Sequence, residues 1–420
     1  MRHVLADVIA PLINVTFTEV PDSPTSYGLL RYLCSPAASY AYAYIPTGAD
    51  TNNGSRSDVV GDIVLNPSND VVGSDSNSRN NSFQSAPGSH GFQSLIHETC
   101  HALGLKHPFE SPTLPRAEEN WDNTVMTYNF VGSEPATAMA YDVLALQYLY
   151  GAKTSTRPED TRYTFTAADN FSPGSGATGA PGSPYGRMKN MLWDGGGVDT
   201  VDLSALSAAT GGFRIDIQPG GWITNTTAYN AVSYDTTQKT TDYGTRIPLT
   251  GTTIENVVGS RSADTIILNT AANTVSGYAP GAATGTDVIS SGDQSDTLDL
   301  GLFKQTDVTQ TQSGTDLVVN LGGGSTVTVK NYYGVAAGSR MLIQFKSQVS
   351  LAITADRTVV KGGDTAAITF TLGGSSTTFT AGDVTTNGGT LSGFTGSGAG
   401  YRATFTPTPP ACPTRRGRSA

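Results

Sequence analysis

Three histidines and a glutamate fall within eleven positions of this chain, in the run His97-Glu98-Thr99-Cys100-His101-Ala102-Leu103-Gly104-Leu105-Lys106-His107. They include three of the five histidines in 420 residues. The i,i+4 spacing of His97 and His101 puts both imidazoles on one face of a helix. Neutral imidazole is a zinc ligand, and a catalytic zinc takes three protein ligands while keeping one position open for water. Gly104 can adopt the left-handed backbone that ends a helix, so the chain can turn and bring in His107 as a third ligand. Glu98 lies beside the metal face, where a carboxylate can take a proton from a water at the metal. The plain alternative is a helix whose surface histidines bind nothing; the added glycine and third histidine at fixed spacing weigh against it. Cys100 falls on the flank of the helical wheel and reads as a small buried residue rather than a ligand.

These ligands need elements to hold them. Phe92, Ile96, Thr99 and Leu103 cluster opposite His97 and His101, which predicts a helix with an inward apolar face. Upstream, residues 2–12 read as an amphipathic helix, with Val4, Leu5, Val8, Ile9 and Leu12 at helical spacing. Residues 13–20 alternate as a strand, and 29–34, 41–45 and 62–66 read as further strands. The Asn/Ser/Asp-rich run 69–88 reads as a surface loop leading to the histidine helix. Downstream, residues 122–128 require only a tight turn. Residues 136–150 then read as a helix with Met139, Val143, Leu144, Leu146, Tyr148 and Leu149 on its apolar face, ended by Gly151.

The run from His97 to His107 matches HExxHxxGxxH and resembles the metzincin zinc proteases, and Met126 fits the methionine turn of that group. His107-Pro108 followed by Met126-Thr127-Tyr128 is similar to the serralysin subgroup, secreted bacterial zinc endopeptidases with a calcium-binding β-roll. The resemblance implies that His97, His101 and His107 hold Zn²⁺, that Glu98 is the general base, and that Met126 forms a floor beneath the metal. It implies that Tyr128 is a displaceable further zinc ligand that turns to the oxyanion during catalysis. It also implies protein or peptide substrates, an extracellular location, a monomeric chain, and export through a type I secretion exporter that reads the C-terminus. In that family a strand precedes the first helix, whereas this sequence starts inside the helix.

The bulk properties agree with a many-stranded protein. A chain of this length holds about two to four domains. Charged residues make up 14%, against a usual value of about 25%. The net charge of −10 argues against nucleic acid and against an anionic membrane surface, and suits collection of Ca²⁺ by carboxylates. No segment has the length and purity of a membrane span, and Asp7 interrupts the apolar run that a signal peptide would need. Cys34, Cys100 and Cys412 are too few and too scattered for a disulfide framework.

A Gly/Pro/Ser-rich stretch, 172–185, marks the end of the first domain, and Trp193-Asp194-Gly195-Gly196-Gly197-Val198-Asp199-Thr200-Val201-Asp202 opens a β-rich region. Nonapeptides of the calcium β-roll type, with an oxygen ligand at place six and an aliphatic at place eight, align at 259–267, 268–276, 282–290 and 291–299. They carry Asp264 and Ile266, Asn273 and Val275, Asp287 and Ile289, and Asp296 and Leu298. Asp199, Asp264, Asp287 and Asp296 are the candidate calcium ligands. Most turn glycines of such repeats are missing, so a metal-free β-solenoid spacer stands as the alternative. Residues 316–333 read as capping strands with a hairpin at Gly322-Gly323-Gly324.

The fold class expected is multidomain α+β: a metzincin catalytic domain (1–165, mixed sheet plus zinc helix), a degenerate parallel β-roll (166–347), and a β-sandwich resembling bacterial immunoglobulin-like repeats but stopping short of the last strands (348–407). The Pro- and Arg-rich end, 408–420, reads as a disordered tail arising from a frameshift, which would leave no export signal. Two functions from different classes follow. One is a secreted zinc metalloendopeptidase. The other is a non-catalytic calcium-binding adhesion or matrix protein carrying a relic protease domain, favoured by the missing strand and opposed by the intact ligand set. A zinc hydrolase acting on something other than peptides is a third.

Overall fold

Helical spacing of apolar residues along the N-terminal segment does become helix, though a short one. Val4–Ile9 winds with i→i+5 bonding (Ala10 N to Leu5 O, 2.8 Å), and Val4, Val8, Ile9 and Leu12 bury against the histidine helix and its core. The structure is a computed structural model that describes residues 1–21, 23, 28–46, 59–71, 81–174, 187–206, 208–235, 238–346 and 350–408. Parts of the expected loops at 69–88 and 172–185, and the tail from residue 409 on, lie outside the described residues. The described residues divide between two units, Met1–Phe345 and Lys346–Ala420. Among the described residues no helix is long and apolar enough to cross a membrane.

The strand expected at 13–20 is not formed. Only Ile13 pairs, through an antiparallel bridge to Ala152, and residues 14–20 run on without a ladder. Alternation alone does not make a strand when no neighbour accepts its amides. The strands that do form are β1 (Arg31–Cys34), β2 (Ala41–Ala43) and β3 (Asp62–Leu65), in the order β1-β3-β2 with β3 parallel to β1 and antiparallel to β2. β3 is buried along its whole length. Against this sheet lies α1 (His90–Ala102).

The second helix, α2 (Ala140–Tyr150), starts later than expected because residues 136–139 are held by other partners: Ala136 N donates to the Lys189 carbonyl (2.8 Å) and Met139 N to Asp142 Oδ2 (2.9 Å). Its expected apolar face is also corrected. Val143 and Leu146 are buried, but Leu144, Tyr148 and Leu149 are 43%, 88% and 51% exposed. A helix apolar nearly all round does not reveal by periodicity which side turns inward.

The repeats form two facing sheets, of nine and seven strands, with a shared apolar interior. Successive nonapeptides alternate between the sheets. Ile266 and Ile289 lie in parallel register with Ile215 on the nine-stranded sheet; Val275 and Leu298 lie in register with Val257 and Val201 on the other. All seven are 0% exposed. Each turn of the roll therefore takes two repeats, which is what an inward aliphatic every nine residues produces when strands switch sheets. The strand crossing the expected boundary at 165, Arg162–Ala167, already belongs to the seven-stranded sheet and pairs with Thr200–Asp202. Met191, Trp193 and Trp222 bury in the apolar core of the histidine helix, so the roll and the N-terminal part share a core at their junction. Asp316–Gly322 and Ser325–Val329 form the expected hairpin, with Gly323 and Gly324 at φ +62° and +86° as a two-residue turn of this hand requires.

In the second unit, Leu351–Ala355, Ala366–Ser376 and Gly389–Pro407 make one three-stranded antiparallel sheet around Phe370, Leu372, Tyr401 and Ala403. The last element doubles back, since Thr408 N reaches Gly388 O at 2.9 Å. The expectation is a sandwich short of its last strands; the described residues form one sheet of it.

Candidate metal centre

Ser89 caps α1, its hydroxyl accepting from Phe92 N (3.2 Å), and Phe92, Leu95, Ile96 and Cys100 fill the core beneath the helix. The opposite face carries His97 and His101, 7% and 5% exposed. The helix ends at Ala102, and Gly104, at φ +99°, reverses the chain so that Leu105 N bonds back to Cys100 O (2.9 Å). This turn returns His107 to the helix face. Among the described residues, His97, His101 and His107 form a group of metal-ligating side chains whose ligand atoms lie within 4.8 Å of one another.

The hydrogen bonds decide which nitrogen of each ring is free. His97 Nδ1 faces Val125 O at 2.9 Å, His101 Nδ1 faces Leu105 O at 2.7 Å, and His107 Nδ1 faces Glu110 Oε1 at 2.9 Å. Oxygen acceptors make each Nδ1 the donor, which leaves each Nε2 with its lone pair. His101 and His107 Nε2 stand 3.0 Å apart, and the Tyr128 hydroxyl is 2.9 Å from His107 Nε2. Ligands around a tetrahedral zinc at about 2.0–2.1 Å stand roughly 3.3 Å from one another, so the donor set and spacing fit this ion. Burial pushes His97 down to about 3 and His101 down to about 4, keeping both neutral and able to ligate at pH 7.

Glu98 is 8% exposed, its Oε2 is buried without a hydrogen-bond partner, and desolvation pushes its carboxyl up to about 7. An unsatisfied buried carboxylate oxygen on the helix that carries His97 and His101, close enough to Tyr128 to add to the rise that burial gives its phenol, is a proton acceptor waiting for a substrate or water. Tyr128 is 56% exposed, and its ring lies over those of His97 and His107. Met126 is 2% exposed in the core below. Cys100 is fully buried, and burial pushes its thiol up.

Three residues that spacing alone did not single out complete the arrangement. Asp142, from the first turn of α2, accepts from Thr124 Oγ1 (2.6 Å), Val125 N (2.7 Å) and Met139 N (2.9 Å), pinning the turn whose Val125 carbonyl orients His97. Glu110 orients His107, and that bond holds its own carboxyl below the ordinary value. Phe109 stacks on His107, with centroids 4.7 Å apart at 11°. The closeness of Glu110 to His107 in sequence was the available signal for one of them; Asp142 had none, because its partners lie across the fold.

The candidate calcium ligands are each 1% exposed; Asp264 and Asp287 adjoin, and each carboxylate accepts hydrogen bonds from the chain. Asp264 accepts from Ser260 N and Oγ (2.6 and 2.7 Å), Asp287 from Asp264 N and Tyr278 OH (both 2.9 Å), and Asp296 from Asn273 N and Asp293 N (2.8 and 2.7 Å). Asp287 and Asp296 thus each accept an amide of an adjoining rung, while Asp264 is bonded within its own repeat. Asp199 differs: Oδ1 accepts from Thr161 N (2.9 Å), while Oδ2 is buried without a partner. Burial pushes Asp264 up to about 6 and Asp287 up to about 7, above the value of about 3.9 in an unfolded chain. The folded roll therefore holds these protons over a pH range in which the unfolded chain has lost them, and stability falls as pH rises from about 4 to 7. Thermal unfolding of the roll without divalent cations is expected at higher temperature at pH 5.5 than at pH 7.5, and Asp287→Asn should flatten that difference.

Comparison with known proteins agrees with this geometry. Residues 346–413 match the family of bacterial Ig-like domains. The chain is 27% identical over 295 residues to a serralysin of Photorhabdus laumondii subsp. laumondii, covering 63% of this chain and 52% of that one. It is 29% identical over 296 residues to the metallopeptidase AprA of Pseudomonas marginalis (62% and 52% covered), and 30% identical over 208 residues to a serralysin of Proteus mirabilis (45% and 37%). The chain spans about half the length, or less, of these curated relatives.

Proposed function

We propose that this chain is a zinc-dependent metalloendopeptidase of the serralysin kind, acting outside the cell on proteins or peptides. The observation that carries the reading is the convergence of three histidines with free Nε2 atoms, with a buried, unsatisfied Glu98 carboxylate on the same helix as two of them. The similarity to serralysins supports it. Zinc, held by His97, His101 and His107, would supply Lewis acidity toward the scissile carbonyl and toward water.

The protein's own groups do the rest. Glu98, poised near neutral pH, takes the proton of the attacking water and passes it to the leaving amine. The Tyr128 phenol, which burial keeps above its ordinary value, remains a donor and gives a hydrogen bond to the developing oxyanion. Val125 O and Glu110 hold the rings of His97 and His107, and Met126 fills the floor. Casein cleavage that chelator abolishes and added zinc restores is the expected result. A folded, zinc-loaded chain that cleaves neither casein nor gelatin would leave the adhesion-protein reading.

For calcium, Asp199 is tested first among Asp199, Asp264, Asp287 and Asp296, because its Oδ2 lacks a partner and burial pushes its carboxyl up to about 7, with Asp194 adding to the effect. The same melts with added Ca²⁺ test it: stabilisation lost in Asp199→Asn supports the site, and indifference to Ca²⁺ supports the metal-free spacer.

A further inference from the structure

The loop 122–131 carries Met126, Tyr128 and Phe130, and one buried ammonium grips both of its ends. Lys189 is 0% exposed and lies on the strand Lys189–Met191 of the nine-stranded sheet. Its Nζ donates to Asp122 Oδ1 at 2.7 Å, where the loop begins, and to the Val131 carbonyl at 2.8 Å, where it ends. The second oxygen of Asp122 accepts from Thr241 N (2.8 Å). Arg246, on the neighbouring strand Gly244–Arg246, donates to the Asp122 carbonyl and to Asn123 Oδ1 (2.7 Å). Just past the neck, Ser133 N bonds Asp242 O at 2.8 Å, and Gly132 has φ +71° with the Asp242 carbonyl where a Cβ would need to be. The roll thus supplies the clasp of a loop that the N-terminal part uses.

We propose that Lys189 is a positioning residue for the metal centre. By closing the neck of loop 122–131, it sets where the Tyr128 hydroxyl and the Val125 carbonyl stand relative to His107 and His97. The inference rests on the reading that His97, His101 and His107 hold a metal. A buried lysine is tolerated only where its charge is paired and its donors are used, and here the partners are the two ends of this loop. Mere filling of space would need no charge. Truncating Lys189 removes the one group that joins Asp122 to the Val131 carbonyl; Thr241 N and Arg246 still hold the Asp122 end, so the Val131 end is released and the neck opens.

The test uses the intact chain with copper(II) in the metal site, because a phenolate-to-copper charge-transfer band reports directly whether the Tyr128 oxygen reaches the metal. Wild type is expected to show the band and Tyr128→Phe to lack it. Lys189→Met should weaken it several-fold and speed amide exchange across 122–131 at least tenfold, while exchange in His90–Ala102 stays as in wild type. Turnover of casein peptides should fall roughly 10–100-fold in kcat with KM little changed, the effect of a displaced group rather than lost binding. Lys189→Arg, which keeps the charge, should recover part of both signals. If Lys189→Met does not fold, Asp122→Asn, which keeps the shape and removes the partner's charge, is read in the same way. A folded variant with the wild-type band and wild-type exchange overturns the proposal. Wild type that shows the band but cleaves nothing overturns the peptidase reading alone, and if wild type binds no copper the exchange measurement decides the clasp by itself.

Discussion

Glu98→Gln is expected to lower peptide-bond hydrolysis by at least about 10²–10⁴-fold while leaving fold and metal content unchanged, the span attributed to a positioned general base. The variant keeps the size and one oxygen of the side chain but exchanges the other oxygen and the charge for an amide that cannot accept a proton near neutral pH. Glu98 is the natural site for so large an effect. Its Oε2 is buried without a partner, and desolvation already raises its proton affinity to about 7. The Nδ1 atoms of His97, His101 and His107 serve the scaffold instead, committed to Val125, Leu105 and Glu110. Cleavage of a fluorogenic peptide, read beside zinc content and near-ultraviolet circular dichroism, checks this. Undiminished cleavage by a folded Glu98→Gln protein would remove Glu98 from the mechanism.

Asp142→Ala should produce the largest loss of stability among single changes around the site. The carboxylate is fully buried and satisfies three donors at once, Thr124 Oγ1, Val125 N and Met139 N. Each buried donor left without an acceptor costs about 1–3 kcal/mol, so roughly 3 kcal/mol or more is expected in denaturant unfolding of the N-terminal unit. The centre should suffer too, because the freed Val125 no longer presents its carbonyl to His97 Nδ1. Burial pushes the Asp142 carboxyl up to about 6, so its ionisation works against folding as pH rises from about 4 to 6. The stability gap between wild type and Asp142→Ala should therefore be wider at pH 5 than at pH 7.

The local parts of this centre were legible from sequence because their geometry is local. His97 and His101 share a helix face by spacing, and Gly104 takes the positive φ that brings His107 back. The aliphatic places of the nonapeptides likewise predicted which residues fill the roll, since an inward residue every nine positions needs no knowledge of partners. What depended on distant partners was not legible. Asp142, Lys189 and Arg246 reach loop 122–131 across the fold, and nothing in their neighbourhoods announces it. The aspartates of the repeats occupy a position that can serve an ion or an amide, and their hydrogen-bond partners, Ser260 for Asp264 and the adjoining rung for Asp287 and Asp296, were not legible. Residues 13–20 show the converse, with a strand pattern and no strand to pair with.

Metal content of the purified intact chain bears most directly on the centre. One zinc per chain is expected in wild type and in Glu98→Gln, and none in His101→Ala, which removes one of the three Nε2 donors without touching Glu98. A folded wild-type chain that holds no zinc after equilibration with excess would contradict the account.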